Sequence, residues 1–197
     1  MICNKSDENS AELAADCLKK GEIVIIPTDT VYGFSGIADL KNGNLFKTDE
    51  KIRTIKGRSE GKPFIHLIAK PEDVFLYTDD KIPEKILALW PGPLTVIVHS
   101  KKDIPLNSAA ETVAFRCPGD KWLRSVIEKA GAPVYSTSVN RSGSPVLENI
   151  SEIREEFGLE VSLIVESHDV KGNVPSTIVS VDEKGIVKVV RQGAVKV

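Results

Sequence analysis

The sequence predicts an α/β fold, with a twisted, mostly mixed β-sheet flanked by helices in a single domain. Short apolar runs typical of strands, such as residues 22–26, alternate with segments whose apolar residues recur at helical spacing, such as residues 10–20. The region 162–190 is richer in strands, which favours a mixed sheet. No internal repeat, low-complexity tract or linker divides the 197 residues. We therefore expect one domain over residues 10–197, preceded by a tail over residues 1–9.

Capping and breaking residues mark the elements of the first half of the chain. Ser10 is a favourable N-cap for the first helix, and Gly21 is a favourable residue to end it. Pro83 suits the first turn of a later helix, which the Trp90-Pro91-Gly92-Pro93 corner ends. The predicted elements are a helix over 10–20, a strand over 22–26, a helix over 42–55, a strand over 63–69, a helix over 83–89 and a strand over 94–99.

The second half continues the alternation and ends in three strands. Gly131 marks the end of a helix around Trp122, and Asn149 or Ser151 opens the next helix. The predicted elements are a strand over 112–118, a helix ending at Gly131, a strand over 133–137, a helix ending near Gly158, and strands over 162–166, 175–181 and 186–190.

Composition excludes several classes of protein. The net charge of −2 argues against a generally basic nucleic-acid surface, so any RNA contact needs a local patch. Three cysteines without C-x-x-C spacing argue against a disulfide framework or a zinc site and fit a reducing cytoplasm. No apolar run reaches the roughly 20 residues that span a bilayer, and the first residues do not have the pattern of a signal peptide. We therefore expect a cytoplasmic protein that makes no membrane contact.

A charged, glycine-containing loop over residues 56–63 is the first candidate site. Lys56 and Arg58 are two residues apart, so both side chains point the same way in an extended segment and are suited to hold phosphate. The alternative is a solvated helix end, where cations favour the negative pole of the helix dipole. The spacing of Gly57 and Gly61 excludes a Walker A loop.

Two further loops carry polar residues at alternate positions after strands. These residues are Thr28, Thr30 and Tyr32 in one loop, and Ser136, Ser138 and Asn140 in the other. Strand ends of α/β proteins commonly carry binding groups, so either loop is suited to line a pocket. The alternative is a turn whose hydroxyls cap the backbone. His66 lies within a predicted strand, where a lone histidine is more often a core residue than a ligand.

Together, seven segments of the chain resemble the YrdC/TsaC family of threonylcarbamoyl-AMP synthases. They are Pro27-Thr28-Asp29-Thr30-Val31-Tyr32-Gly33, Lys56-Gly57-Arg58 with Lys62-Pro63, Trp90-Pro91-Gly92-Pro93-Leu94-Thr95, Val113-Ala114-Phe115-Arg116-Cys117-Pro118, Ser136-Thr137-Ser138-Val139-Asn140-Arg141-Ser142-Gly143, Pro175-Ser176-Thr177-Ile178-Val179 and Arg191-Gln192-Gly193. Each segment is weakly specific alone, but all seven occur in the family's order. The resemblance implies the short, single-domain form of the family, with a large, positively charged cavity.

The resemblance also implies a reaction and its partners. L-Threonine, bicarbonate or CO₂, and ATP would form threonylcarbamoyl-AMP and pyrophosphate, with Mg²⁺ bridging the phosphate oxygens. A downstream transferase complex would pass the threonylcarbamoyl group to an adenosine of tRNA, and tRNA contact with this chain is left open. This is nucleotidyltransferase chemistry that requires positioning and charge neutralisation rather than a catalytic nucleophile.

The family pattern assigns the site residues in two overlapping sets. The ATP set is Lys56, Arg58, Ser138, Asn140, Ser176 and Arg191. The threonine set is Thr28, Tyr32, His66, Arg116 and Ser176. Metal ligands are not assigned. The division between the two sets is less specific than the pocket as a whole.

Three departures from the family pattern remove none of these polar residues: Phe34, Val139 and Gln192. Two alternative functions remain open. One is a carbamoyl-transfer paralogue, although the additional segments of such proteins are absent here. The other is a non-catalytic RNA-binding protein of translation or ribosome maturation, which the scarcity of aromatic residues disfavours.

Overall fold

A single mixed β-sheet forms the centre of the computed structural model, which describes residues 1–40, 43–59, 62–102, 104, 111–167 and 174–197. The strands are β1 (Ile2–Asn4), β2 (Val24–Ile26), β3 (Gly33–Ile37), β4 (Ile65–Leu67), β5 (Leu94–His99), β6 (Thr112–Arg116), β7 (Val134–Ser138), β8 (Leu163–Glu166), β9 (Thr177–Val181) and β10 (Val187–Arg191). The helices are α1 (Ser10–Lys19), α2 (Thr48–Lys56), α3 (Glu84–Leu87), α4 (Lys121–Ala130) and α5 (Ile150–Phe157), with a 3-10 helix over Pro71–Leu76.

The strand order is β1-β8-β2-β3-β7-β4-β6-β5-β9-β10. The pairs β1–β8, β2–β8, β4–β6 and β5–β9 are parallel, and the other neighbours are antiparallel. The sheet is therefore mixed, as predicted, and it stays open because β1 and β10 are its two edges. Among the described residues, no helix is long and apolar enough to cross a membrane.

Side-chain alternation along the strands separates two apolar clusters, one on each face of the sheet. On one face, α1 and α4 pack on the strands, with Leu18 and Leu123 against Val24 and Val134. Next to these residues, Ile25 and Tyr135 point the other way, into the second cluster. That cluster also contains apolar residues of α2, α3 and α5. Both clusters lie on the same strands, so the sheet joins them into one folded unit.

Most of the predicted elements are confirmed, and the differences have local causes. The predicted tail over residues 1–9 is wrong for Ile2–Asn4, which form β1 and pair in parallel with β8. β3 was not predicted, because Gly33 and Gly36 give it low strand propensity. The predicted helix over 42–55 begins instead at Thr48, since Asn44 and Lys47 have positive φ. Asn42, and Glu60-Gly61 of the charged loop, lie outside the described residues.

Candidate functional site

A cavity of about 510 Å³ opens on the face of the sheet that α1 and α4 cover elsewhere. Its floor includes Ser136 of β7, Ile65 of β4 and Ala114 of β6, which pair side by side in the sheet register. Two residues further along the same strands, Leu67 and Val134 lie under α1 and α4. The cavity therefore begins where the helical layer ends, and strands β3, β7, β4, β6, β5, β9 and β10 contribute residues to it.

The structure brings seven of the ten predicted site residues to the wall of this cavity. These are Thr28, Tyr32, Arg58, Arg116, Ser138, Ser176 and Arg191. Lys56, Asn140 and His66 are not among the residues that line it. The described lining contains three arginines and no carboxylate, so the cavity is suited to anionic ligands.

Arg116 ends β6 and is only 5% exposed. Its Nη2 donates to Asp29 Oδ1, and its Nη1 donates to Thr30 Oγ1 at 3.2 Å. Its Nε has no hydrogen-bond partner in the described part of the chain. Burial lowers the pKa of Arg116, and Asp29 opposes that shift, so the guanidinium stays charged. Arg116 thus lines the cavity with one buried N–H group that has no partner among the described residues.

Asp29 is the partner that the sequence analysis did not assign to the site. Its Oδ2 also accepts the backbone N–H of Gly119 at 3.0 Å, which ties the loop after β2 to the loop after β6. The carboxylate therefore orients Arg116 instead of offering a free anion to the cavity. The sequence contained one signal for this pair. Asp29 is an acidic residue in a hydroxyl-rich loop, and Arg116 is an arginine near the end of a predicted strand.

The other two arginines of the cavity lining come from separate elements, Arg58 from the loop after α2 and Arg191 from β10. Arg58 donates through Nη2 to Pro63 O at 2.9 Å, and its guanidinium lies 5.1 Å from the ring centre of Phe64. Arg191 at the end of β10 donates to Ser176 O at 2.8 Å. Ser176 is itself held by Thr95, with 2.9 Å between the two hydroxyl oxygens. Each arginine is thus fixed by a backbone carbonyl and retains further N–H groups for an anion.

Lys56 is buried, at 2% exposure, and its ammonium lies behind the cavity wall. Its Nζ donates to Ser138 O, to Asn140 O at 2.8 Å and to Asn140 Oδ1 at 2.9 Å. Burial, with a smaller contribution from Arg58, lowers the pKa of Lys56 to about 8. These three bonds use all three ammonium donors, so Lys56 organises the loop after β7.

Asn140 is the centre of that loop. Its Oδ1 accepts from Ser138 Oγ at 2.8 Å as well as from Lys56, and its Nδ2 donates to Ser144 O at 2.8 Å. The spacing of Ser136, Ser138 and Asn140 left open a pocket lining or a polar turn, and the family resemblance assigned Ser138 and Asn140 to the ATP set. The hydrogen bonds place Ser138 at the cavity and give Asn140 a supporting position.

The hydroxyls of Thr28 and Tyr32 bind to the protein's own backbone. Thr28 Oγ1 donates to Val31 O at 2.6 Å and accepts the N–H of Thr30 at 3.1 Å, as expected for a capped turn. Tyr32 Oη donates to Ser167 O at 3.0 Å and accepts Ser167 N–H at 2.9 Å. Both residues shape the cavity wall, and burial raises the pKa of Tyr32.

His66 lies on the opposite face of the sheet from the cavity, because its neighbour Ile65 points into the cavity. Its ring packs on Phe115 and Tyr135, with centroids 5.5 Å and 4.9 Å away. Burial lowers the pKa of His66 to about 4, so the ring is neutral at pH 7. This geometry agrees with the core alternative for His66.

An open mixed sheet whose face carries an arginine-lined cavity defines an α/β protein with a pocket suited to anionic small molecules. Residues 16–193 match the Sua5/YciO/YrdC family, which is described as "Telomere recombination", and the chain belongs to this family.

Relatives and solved structures support this assignment. The threonylcarbamoyl-AMP synthase of Pyrococcus abyssi is 30% identical over 188 residues, which are 92% of this chain and 54% of that protein. The threonylcarbamoyl-AMP synthase of Pseudoalteromonas translucida is 28% identical, covering 88% of this chain and 94% of that protein. The crystal structure of P. abyssi Sua5 complexed with L-threonine superposes with a TM-score of 0.84 at 28% identity, covering 98% of this chain and 57% of that one. The chain thus spans about half of one relative and nearly all of the other.

Proposed function

We propose that this chain is an L-threonylcarbamoyladenylate synthase, a nucleotidyltransferase that forms threonylcarbamoyl-AMP and pyrophosphate from L-threonine, bicarbonate or CO₂, and ATP. The observation that carries the proposal is the cavity lined by Arg58, Arg116 and Arg191 in a chain of this family. Two relatives are named for this activity, and a structurally similar protein binds L-threonine.

The proposed chemistry has two steps. The threonine amine adds to bicarbonate and forms a carbamate with loss of water. A carbamate oxygen then attacks the α-phosphorus of ATP, and the bond to the β-phosphate oxygen breaks to release pyrophosphate. Carboxylate, carbamate and triphosphate are all anions, so the site must hold them together against their mutual repulsion. Three fixed guanidinium groups supply that attraction.

Within the cavity, Arg116 is the proposed partner of the threonine carboxylate. Its buried fork is oriented by Asp29, and a guanidinium can hold a carboxylate through two parallel hydrogen bonds. Thr28 and Tyr32 shape the same end of the cavity. His66 supports the floor from behind and is not a proposed threonine contact.

Arg58 and Arg191 are the proposed partners of the ATP phosphates. Ser138 and Ser176 also line the cavity and are suited to bind sugar or phosphate oxygens. Lys56 and Asn140 are proposed to hold the Ser138 loop in place. Ser176 belongs to both the ATP set and the threonine set that the family resemblance implies.

We propose that Mg²⁺ enters the site with ATP. No group of three or more His, Cys, Asp or Glu side chains suited to a metal occurs within residues 1–40, 43–59, 62–102, 104, 111–167 and 174–197. Asp29, close to Arg116, already pairs with that residue and with Gly119. We therefore propose Mg²⁺ only as the companion ion of the triphosphate.

Product chemistry sets the proposed partners. A mixed carbamic–phosphoric anhydride is reactive, so a tRNA threonylcarbamoyl-transferase complex in the cytoplasm would have to consume it promptly. Direct tRNA contact with this chain remains part of the proposal.

Pyrophosphate release tests the function directly. Purified protein incubated with ATP, L-threonine and bicarbonate should release pyrophosphate, and omitting threonine should remove most of the signal. ATP turnover that does not depend on threonine would refute the proposal. RNA binding without pyrophosphate release would favour the non-catalytic alternative.

Two arginine variants test the division of the cavity. Arg116→Gln should raise the KM for threonine by roughly tenfold or more, because the charged fork that holds the carboxylate through two hydrogen bonds is lost. Arg58→Gln should have its larger effect on the KM for ATP. Arg154→Ala on α5 removes an exposed ion pair with Glu166 of β8 and should leave both KM values unchanged. Equal effects of Arg58→Gln and Arg116→Gln on both substrates would contradict the division.

A further inference from the structure

Arg141 follows Asn140 in the loop after β7 and reaches across to two helices. Its Nε donates to Glu156 Oε1 at 3.0 Å, and its Nη2 donates to Glu160 Oε1. Its guanidinium lies 4.5 Å from the ring centre of the buried Phe157. Its Nη1 donates to the carbonyl of Ile55, near the end of α2. One side chain therefore joins the C-terminal region of α5 to the C-terminal end of α2.

The end of α2 explains why this contact matters. A helix leaves its last four carbonyls without partners inside the helix. In α2, Arg58 N–H donates to Arg53 O at 3.0 Å, and Gly57 N–H donates to Thr54 O at 3.3 Å. The remaining two carbonyls are capped from the loop after β7: Ile55 O by Arg141 and Lys56 O by Ser142 N–H at 2.7 Å.

The same junction is closed from the other direction by Lys56. Its ammonium extends from the end of α2 to Ser138 O and to Asn140 O at 2.8 Å. The two cavity walls, one carrying Arg58 and the other carrying Ser138, are thus joined by reciprocal bonds. Lys56 donates from α2 to the start of the loop, and Arg141, in the middle of the loop, donates back to α2.

We infer that Arg141 is a positioning residue, which holds the Lys56–Arg58 segment against the Ser138–Asn140 loop and so sets the distance between two walls of the cavity. Its contribution to global stability is small, because the side chain is 40% exposed and exposed ion pairs contribute little. Its contribution is geometric, since a guanidinium fork fixes direction as well as distance. The consequence for ATP binding rests on the proposed function.

Arg141→Ala tests the inference through amide exchange and substrate kinetics. The Ser142 N–H should exchange roughly fivefold to tenfold faster, while amides of α4 stay unchanged. The KM for ATP should rise roughly fivefold to tenfold, with a smaller change in kcat and a threonine KM within about twofold. Arg141→Lys, which retains one cationic donor for Ile55 O, should recover part of both effects.

Controls separate this role from stability and from the proposed function. Arg154→Ala on α5 should leave the exchange of Ser142 and the ATP kinetics unaltered. Unchanged exchange at Ser142 in Arg141→Ala would overturn the inference, and so would equal acceleration in α4 together with a lower unfolding midpoint. Faster exchange at Ser142 alone, in a protein whose wild type shows no threonine-dependent turnover, would support the positioning role and refute the proposed function.

Discussion

At the scale of single residues, the polar groups around the cavity divide into those that face it and those that hold its walls. Arg58, Arg116 and Arg191 line the cavity. Lys56 and Asn140 use their hydrogen bonds to hold the loop after β7 in place. Residue type alone does not separate the two kinds. Both lysine and arginine can bind phosphate, and a sequence pattern does not show which of them faces the cavity.

His66 should make stability depend on pH. Its pKa is about 4 in the folded protein and about 6.5 for an unperturbed histidine, so the unfolded chain binds more protons between these values. The free energy of unfolding should therefore fall by up to about 3 kcal/mol as pH drops from 6.5 to 4. Urea unfolding across this range measures the loss.

The His66→Phe variant isolates that contribution from the titration of carboxylates. It should lose stability less steeply than the wild type between pH 6.5 and 4, because the buried ring no longer has to take up a proton. Parallel slopes for wild type and His66→Phe would show that burial of His66 has no such effect.

At the scale of elements, β3 shows how a weak strand can be essential. It lies between β2 and β7, and α2 packs directly on it. A methyl group at Gly36 would lie 2.8 Å from Thr48 Cβ and 2.9 Å from Ile23 Cδ1. The glycine therefore lets the start of α2 lie against the strand, where Thr48 Oγ1 donates to Ile37 O at 2.5 Å.

Gly36→Ala should destabilise the protein by roughly 1–3 kcal/mol, because the added methyl group pushes α2 away from β3. Ser35→Ala at the neighbouring position is a matched control. The Ser35 hydroxyl is buried with no hydrogen-bond partner among the described residues, so removing it should be neutral or slightly stabilising. Denaturant midpoints of both variants measure the effect, and equal losses would contradict the packing argument.

At the scale of the whole molecule, one sheet carries both apolar clusters. Trp90 is buried in the cluster with α3, whereas Trp122 packs against the cluster with α1 and α4. Because the same strands contribute to both clusters, neither cluster is structurally independent of the other. Unfolding is therefore expected to be cooperative across the sheet.

The two tryptophans report on this cooperativity. Trp90→Phe leaves Trp122 as the fluorescent probe, and Trp122→Phe leaves Trp90. In each variant the fluorescence midpoint in urea should coincide with the far-ultraviolet circular dichroism midpoint. Separate midpoints within one variant would mean that the two faces of the sheet unfold independently.

Much of this architecture could be predicted from the sequence, because local patterns specify local structure. The 94–99 strand and the helix ending at Gly131 are confirmed, since apolar periodicity and an αL glycine are local signals. β1 and β3 were missed because their stability comes from neighbouring strands distant in the sequence.

The sequence by itself determined the α/β class, the loops that carry polar residues and the family to which the chain belongs. Only the tertiary structure decided which of those residues face the cavity. Asp29 meets Arg116, and Lys56 meets Asn140, across 87 and 84 positions of the chain. Such pairings leave no periodic trace, because they depend on strand order and on which face of the sheet each side chain takes.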